Sequence, residues 1–170
     1  MQRKLLLGFL VSLCVLTTPI KASANALSYI PPESATGVPD EIQEYANIIG
    51  DQFNICPELL MALAERESHF QADAENGSCK GLMQVNANTH KARFVDAGWN
   101  SDTWDDPYRN MFVAADYLNE LFEKYEDVAT VLMVYHGESG AVRKGQMGNI
   151  SNYAKSILKR SEELERAFGK

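Results

Sequence analysis

Glu67 is the carboxylate in this chain whose neighbours could make it a catalyst. On a helix turning about 100° per residue, Leu59, Leu60, Leu63, Ala64 and Phe70 gather on one side, and Glu58 and Glu65 fall on the opposite, polar side. Glu67 lies within the apolar stripe, beside Leu60, Leu63 and Phe70. Burying an ionised carboxylate without a partner is costly, and an apolar setting raises its pKa by penalising the charged form. A glutamate that keeps its proton near neutral pH is what a general acid requires. Periodicity alone leaves open a structural role, with Glu67 reaching out at the helix end or pairing with a buried arginine.

Other groups with chemical potential follow at set intervals. Glu67-Ser68 is followed, with Gly81 fourteen positions after Glu67, by Gly81-Leu82-Met83-Gln84. Tyr135-His136-Gly137 then closes an apolar helix, and Tyr153 lies in the last helical segment. This order and spacing resemble the soluble lytic transglycosylases, bacterial cell-wall enzymes with a goose-lysozyme-like fold, over roughly Ile42 to Ile157. The resemblance implies a mostly α, lysozyme-like single helical domain with a substrate groove, and peptidoglycan glycan strands as substrate. It implies that Glu67 protonates the glycosidic oxygen between N-acetylmuramic acid and N-acetylglucosamine. The same residue then takes the 6-hydroxyl proton as a 1,6-anhydro ring closes. Ser68, Gly81, Met83, Gln84, Tyr135, His136 and Tyr153 are the substrate-binding candidates. On this reading Ser68 lies within reach of Glu67 or the N-acetyl group. Gly81 lets backbone approach sugar, Met83 gives an apolar contact and Gln84 hydrogen bonds. Tyr135 and Tyr153 orient Glu67 and border the pocket, although Met83 and both tyrosines also suit ordinary core packing. His136 departs from the family, which usually has asparagine there, and Glu138 is unusual in what is elsewhere a small-residue stretch.

Glycosidases ordinarily use two carboxylates. Asp73, Glu75, Asp96 and Glu138 all stand in loop-like or polar surroundings, so none matches Glu67. A lysozyme-type hydrolase on the same fold and a non-catalytic peptidoglycan-binding protein are the alternative readings. None of His69, His90 and His136 has the i, i+4 partner of a zinc helix; no metal and no cofactor is expected. Trp99 and Trp104 precede the Met111 helix, where they could stack on sugar or, as we favour, cover the core edge.

The elements that must hold these groups are helical. Asp40 to Phe53, Pro57 to about Phe70, Thr89 to Ala97, a helix opened by Asp105-Asp106-Pro107, Val128 to His136 and a segment from Ser151 carry apolar residues at helical spacing or helix start signals. Asp127 is placed to cap the fifth of these. Asn76-Gly77-Ser78 and the glycines at 137, 140, 145 and 148 mark loops, and no set of strands is evident.

Residues 1–24 read as a signal peptide: Arg3 and Lys4, an apolar run from Leu5 to Leu16, and Ala22-Ser23-Ala24 before the cleavage point. The run is shorter than a bilayer span needs, so the protein is expected to be exported, to the cell wall or periplasm, with no membrane span after cleavage. Residues 25–39, with three prolines, read as a flexible leader, and 40–170 as the catalytic domain. Without residues 1–24 the formal charge moves from −7 to −10, because three basic and no acidic residues leave. So acidic a domain does not attract nucleic acid. Cys56 and Cys79, an even count in an exported chain, favour a disulfide over two free thiols.

Overall fold

The computed structural model describes residues 36–140 and 150–170. The expected signal, most of the leader, and Gly145 and Gly148 lie outside the described residues.

Helix α1, Asp40–Phe53, starts after Pro39 with Asp40 and Glu41 complementing the positive helix end, and buries Ile42, Ala46 and Ile49. It ends on Asn54 in the left-handed conformation. Helix α2, Pro57–Ser68, begins with proline in the first turn, where the lost N–H is no loss. Between the two, Gly50 is required: a Cβ there would meet the Ile55 carbonyl oxygen at 2.6 Å. A small antiparallel sheet follows, β1 Glu75–Asn76, β2 Cys79–Lys80 and β3 Val85–Asn86, with Glu75 opposite Lys80 and Cys79 opposite Asn86. Strands of two residues are too short to leave an alternating pattern, which is why none was evident from the sequence.

Helix α3 runs Lys91–Asp96, shorter at both ends than Thr89 to Ala97. Helix α4, Pro107–Lys124, is capped by Asp106, which accepts from the Arg109 N–H at 3.0 Å. Helix α5, Val128–Tyr135, is capped by Asp127 in the same way and buries Ala129 through Met133. Helix α6, Asn152–Ala167, is capped by Ser151.

Helix α2 is the centre of the assembly, packed on α1, α4 and α6, while α5 bridges α4 and α6. Leu60, Leu63, Leu82, Met83, Phe94, Met111, Leu118, Leu132, Ile157 and Leu164 are fully buried in one continuous core. Because α2 is enclosed on so many sides, Glu58 is not on an open polar face as its helical position suggested. It is 1% exposed, and its carboxylate takes a hydrogen bond from Lys170 Nζ at 2.7 Å. Glu65 stays half-buried and pairs with Arg160 of α6 at 2.7 Å.

Candidate active site

Glu67 occupies the last turn of α2, where the helix stops abruptly. His69 and Phe70 both take left-handed backbone, at φ 53° and 65°, which is uncommon for residues with a Cβ. This reversal sends the chain into the β1–β2 hairpin and leaves Glu67 facing α6. There the Tyr153 hydroxyl donates to Glu67 Oε1. Burial raises the Glu67 pKa; the Tyr153 hydrogen bond and the electrostatic influence of the neighbouring His136 and Arg66 side chains oppose it without cancelling it. Tyr153 is itself buried, and its phenol is pushed far above the ordinary value by burial and by Glu67, so it stays a donor. The His136 ring stacks on it with centroids 3.9 Å apart and 14° between planes, and the Arg66 guanidinium lies 5.7 Å from its centroid. Glu138 Oε1 in turn is 3.0 Å from His136 Nδ1.

The Gly81–Gln84 turn lies next to this constellation. The Tyr135 hydroxyl donates to the Met83 carbonyl at 2.8 Å. From α4, the fully buried Asn110 accepts from the Met83 N–H at 2.8 Å and donates to the carbonyls of Lys80, at 3.0 Å, and Trp104, at 2.8 Å. Beside the turn opens a cavity of about 380 Å³, bordered by Gln84, His90, Tyr117, Tyr135 and His136 among others. Among the described residues no group of three or more His, Cys, Asp or Glu side chains converges as a metal site would.

A model of the transglycosylase SLT domain family matches residues 44–157, a span holding Glu67, the Gly81–Gln84 turn, Tyr135, His136 and Tyr153. The chain belongs to the transglycosylase SLT domain family. It is also similar to a protein named transglycosylase from Enterobacteria phage PRD1, at 28% identity over 109 residues. That match covers 64% of this chain and 38% of the phage protein.

Within this SLT domain the residues singled out from sequence divide into two groups. Glu67, Tyr153 and His136 touch in a row, and Gln84, Tyr135 and His136 border the cavity. Ser68, Gly81 and Met83 are engaged inside the protein. The Ser68 hydroxyl is buried and donates back to the Ala64 carbonyl at 3.2 Å. Met83 is 0% exposed, so its side chain belongs to the core. Gly81 is needed for internal packing: its φ is +78° and a Cβ would meet Asn110 Nδ2 at 2.3 Å and the Trp104 carbonyl at 2.4 Å. The expected Cys56–Cys79 bridge is not formed; both are free thiols. Cys56 stands at the start of α2, with its thiol donating to Glu58 at 3.1 Å, whereas Cys79 borders the cavity near Tyr135. A disulfide needs Cα atoms within about 7 Å, and the length of α2 stands between these two neighbourhoods.

Sequence reasoning missed Asn110, Tyr117 and Arg66. Asn110 carried the same signal as Glu67, a polar residue on an apolar helix face, with Val113, Ala114 and Tyr117 along the same stripe. Trp99 does cover the core edge, edge-on to Phe112 at 5.0 Å.

Proposed function

We propose that this domain is a lytic transglycosylase that cleaves the β-1,4 bond between N-acetylmuramic acid and N-acetylglucosamine in peptidoglycan, leaving 1,6-anhydro ends. The observation that carries the reading is Glu67 itself: a carboxyl whose burial favours the protonated form, aimed by a neutral tyrosine hydroxyl, beside a cavity able to take sugar. Protonated Glu67 gives its proton to the glycosidic oxygen as the C1–O4 bond breaks, and the acetamido group of the muramic residue supports the charge developing at C1. The Glu67 carboxylate then removes the proton of the 6-hydroxyl as O6 bonds to C1. Glu67 ends protonated, and no water is consumed.

The supporting residues act at one remove. Tyr135 and Asn110 fix the Gly81–Gln84 turn from two sides. Both N–H groups of the Gln84 amide are directed at backbone, to the Ala74 and Gly81 carbonyls at 3.0 Å each, which leaves its oxygen as an acceptor at the cavity. Tyr153 aims Glu67, and His136 covers Tyr153. We read residues 1–24 as the signal that brings the enzyme to its extracytoplasmic substrate, and 25–39 as a leader to the catalytic domain.

A second reading has one observation in its favour. Glu138 engages His136 Nδ1, and such a pair could activate water, which would make the enzyme a hydrolase. Mass spectrometry of peptidoglycan treated with residues 25–170 separates the two. Anhydro-muramic ends, absent with Glu67→Gln, support the transglycosylase; reducing ends indicate hydrolysis. Binding without release of any product would leave a wall-binding protein.

A further inference from the structure

The cavity wall also carries a group that the proposed reaction does not use. His90 immediately precedes α3, half-buried, with its ring against Tyr117 of α4 at 4.3 Å between centroids. Arg93 Nε–H donates to His90 Nδ1 at 3.3 Å. Arg93 is itself held by ion pairs to Asp116 and Glu120 of α4. Burial, and then the Arg93 cation, lower the His90 pKa, against the opposing pull of Glu120 and Asp116. A neutral ring whose Nδ1 accepts must carry its proton on Nε2. That N–H makes no hydrogen bond among the described residues. The ring is therefore a donor of fixed tautomer on the wall of a ligand-sized cavity.

The rest of the lining says what kind of acceptor fits. Among the described residues no Lys, Arg, Asp or Glu borders the cavity, although the chain as a whole is acidic. Those residues offer a peptide-stem carboxylate no Lys or Arg to pair with. Beside His90, Ala114, Tyr117 and Val134 supply apolar surface. A neutral acceptor carrying a methyl group matches both features. We propose that His90 is a specificity-determining residue that donates from Nε2–H to the acetamido carbonyl of an N-acetylglucosamine unit seated in this cavity. This inference rests on the reading of the domain as glycan-cleaving.

The test uses two glycans: peptidoglycan, and peptidoglycan whose glucosamine units alone have been de-N-acetylated, so that the muramic acetamido group is intact. His90→Phe keeps a ring on Tyr117 and loses the donor. On peptidoglycan it should raise KM about three- to ten-fold with kcat little changed, the worth of one neutral hydrogen bond. On the de-N-acetylated glycan, wild-type KM should rise similarly and His90→Phe should add nothing. His90→Gln, which retains an N–H donor, should recover part of the loss. An equal His90→Phe penalty on both glycans, a loss confined to kcat, or no effect would each overturn the assignment. A readout independent of turnover is the affinity of the Glu67→Gln protein for an N-acetylglucosamine trisaccharide, by calorimetry. If that affinity depends on His90 while wild type releases no anhydro ends, the transglycosylase reading fails and the donor assignment stands. If the affinity is indifferent to His90, the donor assignment fails whatever the activity.

Discussion

The Tyr153 hydroxyl and the Glu67 carboxylate, 86 positions apart in the chain, are joined by a hydrogen bond across the seam between α6 and α2. That bond pulls the Glu67 pKa down against the upward push of burial. Tyr153→Phe removes it and should send the pKa further up. The first chemical step needs protonated Glu67, so activity is lost as pH rises through that pKa. The alkaline limb of kcat/KM should accordingly move to higher pH in Tyr153→Phe, while the maximum falls about ten-fold as Glu67 loses its aim. An alkaline limb that stays put or moves down would argue that Glu67 is not the titrating acid.

Folding itself should register the same carboxyl. A glutamate whose folded-state pKa is raised favours the fold fully only below its ordinary value of 4.5, and this contribution is lost as pH rises through the folded value. Glu67→Gln has the same shape, still accepts from Tyr153 and has no charge to desolvate. At pH 7 it should melt above wild type, and the two melting curves should converge below pH 4.5. Inactivity joined to higher thermal stability is the signature of a site residue held at a cost to the fold. A Glu67→Gln protein that melts lower at pH 7 would place Glu67 among stabilising residues instead.

Asn110 and Gly81 form one clamp, and their variants should not add. Asn110→Ala strands the buried Met83 N–H and two carbonyls, which should cost about 2–4 kcal/mol. Gly81→Ala drives a Cβ into the Asn110 amide and the Trp104 backbone at a left-handed φ, and should cost a similar amount. In the double variant, alanine at 110 removes one of the two clashes, so urea midpoints should show a combined loss smaller than the sum. Strict additivity would mean that the two residues hold the turn independently.

The helices were legible in the sequence through a periodic stripe, a start signal or both: stripes along α1, α4 and α6, Pro57 for α2, Asp105-Asp106-Pro107 for α4, and Asp127 for α5, which is apolar all round. Glu67 was legible for a different reason, as a charge where the stripe allows none. The same reasoning misjudged Glu58, since a helical wheel presumes one open face and α2 is enclosed by α1, α4 and α6. It assigned Ser68, Gly81 and Met83 to the ligand, although their side-chain requirements are met inside the protein. Nothing local to His90 or Tyr117 tells that they share a cavity with Tyr135; only the α3–α4 packing brings them there.

The two free cysteines can be counted directly. For a chain beginning at residue 25, thiol titration in denaturant without reductant should count two thiols, Cys56 and Cys79. Dithiothreitol should leave the Tm unchanged. A count of zero would restore the bridge. Alkylation of native protein should be slow at Cys56, whose thiol is pushed up by burial and by its hydrogen bond to Glu58, because the thiolate is the reacting form.

Glu58 and Lys170 hold the far end of α2. Burial pushes the Glu58 carboxyl up, but hydrogen bonds from Lys170 and Cys56 outweigh it and leave the pKa below the ordinary value of 4.5. The pair therefore stabilises the fold above pH 4.5, and this contribution disappears as pH falls through the lowered folded-state value. Lys170→Met leaves a buried carboxylate with only the Cys56 thiol as a side-chain partner. Because Lys170 is half exposed, the cost should be about 1–2 kcal/mol at pH 7 rather than that of a fully buried pair. Thermal melts should show a drop of several degrees, narrowing as the pH is taken below 4.5 and Glu58 becomes neutral in both proteins. Glu58→Gln should weaken the pH dependence of wild type over the same range. A Lys170→Met deficit that is constant with pH would mean that Lys170 contributes by packing, and that its charge is not what keeps Glu58 ionised in the core.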